Sequence, residues 1–321
     1  MQRSVLPASA LFIALATAQA ASQDLWPVRS VRIVVPSSPG GAADTYARNL
    51  APVLAASLKQ QFVVDDRPGA SGTVGAEIVA NSAPDGYTIL IASSATLVIG
   101  PSIFKNLSFS VERDLAPVAQ GVISPMVLTI HPSLPVRTIG ELVALGKREP
   151  GRVLFGSPGV ASPSFLAVKM VEEAGRARFT HVPYKGAAPT LLGLLRGEIA
   201  FMGSDINTVR PHVLAKKAIA IVASHRTKHL PGTPSFAEAG YPSVESFPFF
   251  GVAAPARTAT ENIQRLSAEI GAAMKTPLLR ARLDAAALLP VYDTPEEFAV
   301  VLRKERSRYA EVIRRNNITA D

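Results

Sequence analysis

The residues in this chain that could do chemistry are glycines and hydroxyl side chains grouped at predicted turns. The first turn spans residues 36–44, where the β-branched run Val31–Val35 gives way to Pro-Ser-Ser-Pro-Gly-Gly and then to a helical pattern. A strand, turn and helix in this order aim free backbone N–H groups and the positive end of a helix dipole at one point. Such a point suits a carboxylate or a phosphate.

Three further turns of the same composition follow predicted strands, at residues 92–96, 156–162 and 203–205. Serine and threonine hydroxyls beside backbone amides form a neutral hydrogen-bonding site for a carboxylate. For Asp44 two roles stay open: it caps its own helix, or it orients a ligand amine or a water. The predicted ligand-binding residues of the four turns are Ser37, Ser38, Gly40, Gly41, Asp44, Ser93, Thr96, Ser157, Gly159, Ser162, Ser204 and Asp205.

Sequence motifs of the common catalytic and cofactor sites are absent. There is no Gly-x-Ser-x-Gly elbow, no Gly-Lys-Ser/Thr phosphate loop and no third glycine after Gly40-Gly41 for a dinucleotide. His225 and His229 have i,i+4 spacing, but Arg and Lys lie between them and no Glu does. The chain has no cysteine, which excludes disulfides and thiolate chemistry. The sequence therefore predicts no enzyme activity, no bound metal and no cofactor.

Short apolar segments alternate with helical periods along most of the chain, which predicts an α/β fold with mainly parallel strands. The predicted strands are 31–35, 62–65, 87–92, 118–123, 126–131, 153–156, 180–182, 199–202, 219–223 and 252–254. The predicted helices are 43–58, 74–81, 139–148, 165–173, 190–196, 209–215, 261–274, 277–288 and 295–315. Thr138-x-x-Glu141 and Thr294-x-x-Glu297 match the capping box that begins a helix.

Two connections without a helix, at residues 121–125 and 232–251, divide this pattern into two lobes. We expect lobe 1 to be discontinuous, with residues 22–123 plus 246–321, and lobe 2 to be contiguous, with residues 124–245. The carboxyl ends of the strands in both lobes would then face a shared cleft, which is where open α/β sheets bind ligands.

The N-terminal residues 1–20 have the pattern of a cleaved secretory signal peptide. Arg3 precedes an uncharged stretch of small and apolar residues, and Ala18-Gln-Ala20 fits the small-x-small cleavage rule. Pro7 and Ser9 interrupt the stretch, which is marginal for a membrane anchor. We expect an exported mature chain that begins near Ala21. Its formal net charge of +8 is dispersed and aromatic residues make up 6%, which argues against nucleic-acid binding.

Five motifs in a fixed order resemble those of one protein family. They are Val35-Pro-x-x-Pro-Gly-Gly-x-x-Asp44, Asp66-Arg-Pro-Gly-Ala-x-Gly72, Pro84-Asp-Gly-Tyr-Thr88, His181-Val-Pro-Tyr-Lys-Gly-Ala-Ala-Pro189 and Pro234-Ser-Phe-Ala-Glu-Ala-Gly240. Together they resemble the Bug-type, tripartite tricarboxylate transporter substrate-binding proteins of the bacterial periplasm. The resemblance covers essentially the whole mature chain, including a last helix that begins Thr294-Pro-Glu-Glu-Phe298.

This resemblance implies a periplasmic binding protein-like fold, with two α/β lobes around a ligand cleft, and no enzyme activity. It implies a monomer that binds a small organic carboxylate, such as a di- or tricarboxylate, an acidic amino acid or an aromatic acid. Transient partners would be membrane transporter subunits. Ser37, Phe165 and Gly203-Ser204 depart from residues common in the family, which leaves the carboxylate open. Two alternatives stay open: a ligand-sensing subunit for a signalling receptor, and an exported hydrolase or lyase.

Overall fold

The computed structural model describes residues 25–246 and 248–319, and the predicted signal peptide lies outside them. Lobe 1 contains a six-stranded sheet in the order β11-β4-β10-β3-β1-β2, and lobe 2 a five-stranded sheet in the order β7-β6-β8-β5-β9. The strands are β1 Val31–Val35, β2 Phe62–Asp66, β3 Thr88–Ser93, β4 Leu115–Ile123, β5 Met126–Ile130, β6 Leu154–Ser157, β7 Thr180–Pro183, β8 Phe201–Asp205, β9 Ile219–Ala223, β10 Phe249–Pro255 and β11 Leu289–Asp293.

Eleven α-helices are described, with a 3₁₀ turn at Ala70–Gly72 and a π-helical turn at Ala95–Ile99. Both predicted capping boxes are confirmed, since Thr138 and Thr294 each exchange hydrogen bonds with the glutamate three residues later. The helices are α1 Ala42–Leu58, α2 Thr73–Ala80, α3 Gly100–Ile103, α4 Val111–Asp114, α5 Ile139–Arg148, α6 Pro163–Gly175, α7 Ala187–Leu195, α8 Ile206–Leu214, α9 Thr260–Lys275, α10 Pro277–Ala285 and α11 Pro295–Arg315. No helix among the described residues is long and apolar enough to cross a membrane.

The expectation of mainly parallel strands is wrong. Four strand pairs are parallel: β1–β2, β1–β3, β6–β7 and β6–β8. Five are antiparallel: β10–β3, β10–β4, β11–β4, β5–β8 and β5–β9. The reason is the exchange between lobes: β4 leads directly into β5, and β10 returns from lobe 2 to lie between β3 and β4. The second non-helical connection predicted the return to lobe 1, but the alternating pattern contains no signal for the position of β10 within the sheet.

The two connections between the sheets run side by side, and a backbone hydrogen bond of 2.9 Å joins Ser124 N–H to the Pro248 carbonyl. Helix α11 packs against β4 and also contacts α6 of lobe 2. Its fully buried Tyr309 belongs to a core cluster that includes residues of both lobes. The lobes are therefore tied together on one side, and the opposite side faces the cleft.

Candidate functional site

A cavity of about 490 Å³ lies between the lobes. Lobe 1 supplies the loop between β1 and α1, the 3₁₀ turn at Ala70–Gly72, and Ser93, Ser94 and Ala95 at the end of β3. Lobe 2 supplies the loops that follow β6 and β7, together with Asp205 at the end of β8. Met126, Pro248 and Phe250, beside the interlobe connections, also line it. The cavity thus lies where strands of both sheets end.

The first turns of helices from both lobes line this cavity. They contribute Ala42 and Ala43 of α1, and Ala187 and Ala188 of α7. The N-caps of these two helices are Gly41 and Gly186, and neither has a side chain that could cap the first turn. Helices α2 and α8 also lack a side-chain hydrogen bond at their N-caps. Free N–H groups and positive dipole ends at one cavity form a site for an anion.

Hydroxyl side chains, including Ser37, Ser93 and Ser162, also line the cavity. The Ser37 hydroxyl is buried and has no hydrogen-bond partner among the described residues. Ser93 Oγ lies 2.9 Å from Thr96 Oγ1, and Ser162 Oγ accepts a 3.2 Å hydrogen bond from Phe165 N–H at the start of α6. Ser162 Oγ also donates a 2.7 Å hydrogen bond to the Gly159 carbonyl, whereas the Ser37 hydroxyl can donate to a carboxylate without bringing a charge of its own.

Two charged residues, Lys185 and Asp205, are among the described residues that line the cavity. Lys185 is exposed at the rim, whereas Asp205 is mostly buried. Burial raises the pKa of the Asp205 carboxyl to about 7, and the nearby Ser124 hydroxyl partly opposes that rise. At neutral pH a substantial fraction of Asp205 is therefore uncharged and able to donate a hydrogen bond.

The structure divides the twelve predicted ligand-binding residues into two groups. Ser37, Ser38, Gly41, Ser93, Gly159, Ser162 and Asp205 line the cavity; Gly40, Asp44, Thr96, Ser157 and Ser204 lie outside its lining. The Asp44 carboxylate accepts a 2.8 Å hydrogen bond from Gly40 N–H and forms a 2.5 Å ion pair with Arg48. Of the two roles left open for Asp44, this geometry favours the structural one. Ligand contact by the residues in the lining stays a prediction.

A Ser–His pair that the sequence did not reveal lies next to the cavity. Ser157 Oγ is 2.8 Å from His181 Nε2, because β6 and β7 are neighbouring parallel strands. Ser157 is fully buried, and its single hydroxyl proton has a second acceptor in the Gly159 carbonyl at 3.0 Å. Desolvation, followed by repulsion from Lys169, lowers the pKa of His181 to about 4. The burial of Ser157 and the competing acceptor argue against a nucleophile that is ready to react.

Two lining segments, 68–72 and 183–188, were not predicted, although both lie within motifs that carried the family resemblance. They were missed because their position depends on unusual backbone dihedrals, which residue types alone do not specify. Ala70 and Ser71 have φ of 44° and 54°, and Gly186 has φ of 117°. These segments also bring the lobes into contact across the cleft. Ser38 Oγ of lobe 1 donates a 3.2 Å hydrogen bond to the Lys185 carbonyl of lobe 2. The lobes are therefore closed over the cavity.

Two α/β lobes joined by paired connections, and closed over a cavity suited to an anion, define a solute-binding protein of the periplasmic binding protein type. The family model described as "Tripartite tricarboxylate transporter family receptor" matches residues 46–318, and the chain belongs to this family. Protein BugT of Bordetella pertussis is 35% identical over 308 residues, which cover 95% of this chain and 94% of BugT.

Solved structures show the same architecture. The periplasmic binding protein BugD superposes with a TM-score of 0.85 at 27% identity, covering 92% of this chain and 99% of BugD. MatC from Rhodopseudomonas palustris with bound malate gives a TM-score of 0.84 at 27% identity, covering 89% of this chain and 99% of MatC. R. palustris Rpa4515 with adipate gives a TM-score of 0.88 at 27% identity, covering 92% of this chain and 99% of Rpa4515. The predicted fold class and the family resemblance are confirmed.

Proposed function

We propose that this protein captures a small organic carboxylate in the periplasm and delivers it to the membrane subunits of a tripartite tricarboxylate transporter. One observation carries the proposal: uncapped helix N-termini from both lobes meet at one cavity whose other polar groups are mostly hydroxyls. Two proteins of similar structure were solved with malate and with adipate, both of which are carboxylates. The helix ends would hold the carboxylate, and closure would shield its hydrogen bonds from water.

The rest of the cavity lining favours a ligand with a hydrocarbon part. Phe104, Met126, Val160 and Phe250 supply apolar surface, and a volume of about 490 Å³ suits a small molecule. Di- and tricarboxylates, acidic amino acids and aromatic acids all stay within this chemistry. We propose that the protein has no catalytic role and binds its ligand as a monomer.

The proposal includes export and the two-lobe division predicted from the sequence. Residues 1–20 would be a cleaved signal peptide, residues 22–123 plus 246–321 would form lobe 1, and residues 124–245 would form lobe 2. The hydrogen bond between Ser124 and Pro248 supports this division, since it joins the two connections where the chain passes between the sheets. Intact-mass measurement of periplasmic protein should give a chain that begins near Ala21; full-length protein in the cytoplasm would contradict export.

A thermal-shift screen of the purified mature protein tests the binding function. The screen would contain malate, adipate, citrate, glutamate and benzoate, with glucose and choline as uncharged and cationic controls. A ligand at 100 times its dissociation constant stabilises the native state by about 2.7 kcal/mol, which corresponds to a rise in Tm of several degrees. Any hit would be confirmed by calorimetry, and NMR of the recovered ligand would show whether it is chemically unchanged.

Stabilisation by at least one carboxylate, and by neither control, is the expected result. Stabilisation by the controls alone would contradict the anion-binding site. Conversion of a bound carboxylate to a product would contradict the absence of catalysis. For that outcome Ser157→Ala is an informative variant, because Ser157 and His181 form a Ser–His pair beside the cavity.

A further inference from the structure

Asp205 does not make the capping hydrogen bond that its position at the start of α8 would normally give it. It is the N-cap residue of α8, a position where an aspartate normally accepts a hydrogen bond from the first turn of its helix. Its side chain forms no such bond and lines the cavity instead. No ion pair among the described residues includes Asp205. The carboxyl therefore faces the same space as the proposed ligand.

The neighbouring elements offer few groups that could compensate a charge on Asp205. The titratable and charged side chains of these elements are Lys169, Glu172 and Glu173 on α6, His181 on β7, Lys185 before α7, Arg210 and His212 on α8, and His225 after β9. On α6, Lys169 pairs with Glu172, and Glu173 pairs with Arg315 of α11. Arg210 donates a 3.0 Å hydrogen bond to the Ala285 carbonyl. Desolvation lowers the pKa of His181 to about 4 and that of His225 below its usual value, so both are mainly neutral above about pH 6.5.

A bound carboxylate would share this cavity with the Asp205 carboxyl. Two carboxyl groups in one desolvated site disfavour double ionisation, so the pKa of one of them rises. The ligand carboxylate would face the uncapped N-termini of several helices, whereas Asp205 adjoins only that of its own helix α8, and burial already raises the pKa of its carboxyl to about 7. Asp205 is therefore the group that takes the proton. Once protonated, its O–H can donate a charge-assisted hydrogen bond to the ligand.

We propose that Asp205 contacts the ligand as a neutral acid, so that capture of a carboxylate by this cleft is coupled to uptake of one proton above neutral pH. This inference rests on the proposed function, because it requires an anionic ligand. In the free protein the pKa of Asp205 is raised to about 7, so the protonated form competent to bind declines as pH rises. Apparent affinity is then highest below pH 7 and falls about tenfold for each pH unit well above it.

Isothermal titration of the mature protein with adipate, from about pH 6.5 to pH 8.5, measures this coupling. Adipate carboxyls are ionised across that window, since free carboxyl groups titrate near pH 4 to 5. The protonated fraction of a group with a pKa near 7 falls about 25-fold over this range, and the dissociation constant should rise by the same factor. At about pH 8 the heat of binding should differ between Tris and HEPES, in proportion to a proton uptake of nearly one.

Two variants separate Asp205 from other causes of pH dependence. Asp205→Asn keeps a hydrogen-bond donor without titrating, so its affinity for adipate should be independent of pH and of buffer. Asp114→Asn is the matched control, because hydrogen bonds from Arg113 and Ser110 hold the pKa of Asp114 at about 2, and it does not line the cleft. This control should keep the full pH dependence of the wild type.

The outcomes distinguish this inference from the proposed function. Adipate binding by the wild type that is independent of pH and buffer would overturn the coupling while leaving carboxylate capture intact. Loss of glutamate binding in Asp205→Asn, with wild-type affinity that falls at low pH, would show that ionised Asp205 pairs with a ligand ammonium group and would also overturn it. If no carboxylate binds at any pH, the proposed function fails and the inference fails with it. The buffer comparison uses the wild type alone, so it holds even if a variant does not fold.

Discussion

Gly186→Ala should weaken ligand binding because it obstructs closure of the lobes. A Cβ at Gly186 would lie 2.7 Å from Ser38 Oγ and 3.4 Å from Ser38 Cβ, both across the cleft. To relieve the shorter contact the Ser38 side chain must rotate, which breaks its hydrogen bond to the Lys185 carbonyl. The ligand is expected to bind between closed lobes, so a penalty confined to the closed state reduces affinity directly.

The size of the effect follows from the hydrogen bond that Ser38 would no longer form. One hydrogen bond of this kind contributes about 1 kcal/mol, so affinity should fall about fivefold, and about tenfold if the backbone must also shift. Gly186 also has φ of 117° and ψ of 173°, a region that is costly for alanine. That strain is present in the open and closed states alike. It should therefore lower the Tm of the unliganded protein without changing the closure equilibrium.

A double-mutant cycle with Ser38→Ala separates the two effects. Calorimetry would measure the affinity for a carboxylate found in the screen. Small-angle X-ray scattering would measure the change in the radius of gyration of the protein when it is saturated with that carboxylate. Ser38→Ala alone should weaken binding by about threefold to fivefold. The double variant should bind no more weakly than Gly186→Ala, because both substitutions remove the same hydrogen bond and Ser38→Ala removes the oxygen nearest the new methyl group.

Two results would refute this reasoning. If the losses in the two single variants multiply in the double variant, Ser38 and Gly186 act independently and the contact across the cleft carries no closure energy. If saturation with ligand leaves the radius of gyration of the wild type unchanged, the lobes do not close on binding. Gly240→Ala is a useful control, since Gly240 also has positive φ, 89°, but its Cβ would meet no atom within 4 Å.

Three further predictions concern the binding turn, metal dependence and stability. Gly41→Val should weaken carboxylate binding at least tenfold, because a side chain at this position would stand where backbone amides approach the anion. The Tm should change little, because Gly41 has φ of −74° and its Cβ would meet no atom nearer than 3.4 Å. A large fall in the Tm of the unliganded protein would show that the glycine serves the turn alone. Ligand binding should persist in excess EDTA, since the described residues contain no cluster of three metal-ligating side chains; restoration of lost binding by Ca²⁺ or Zn²⁺ would contradict this. Thr138→Ala removes the cap of α5 and should cost about 1 kcal/mol in the free energy of unfolding, measured by urea denaturation, while carboxylate affinity is unchanged.

Local patterns in the sequence were sufficient to predict most of the secondary structure. All ten predicted strands and all nine predicted helices are present, because β-branched runs, turns and capping boxes act over a few residues. The edge strand β11 was missed because Pro290 interrupts its pattern, and an edge strand tolerates a proline. Helices α6, α7 and α8 begin two or three residues earlier than predicted, and residues at or next to these starts line the cavity.

The sequence by itself determined the fold class, the family and four of the turns that lie at or next to the cavity, since each depends on residue types and spacings close together in the chain. Only the tertiary structure decided which of these residues face the cavity. The Asp44 carboxylate accepts a hydrogen bond from the Gly40 amide, and Ser157 is hydrogen-bonded to His181 on a neighbouring strand. Asp205 makes no capping hydrogen bond to α8 and lines the cavity. Each of these outcomes depends on packing between strands, on backbone dihedrals or on contact between the lobes, and spacing along one chain does not specify them.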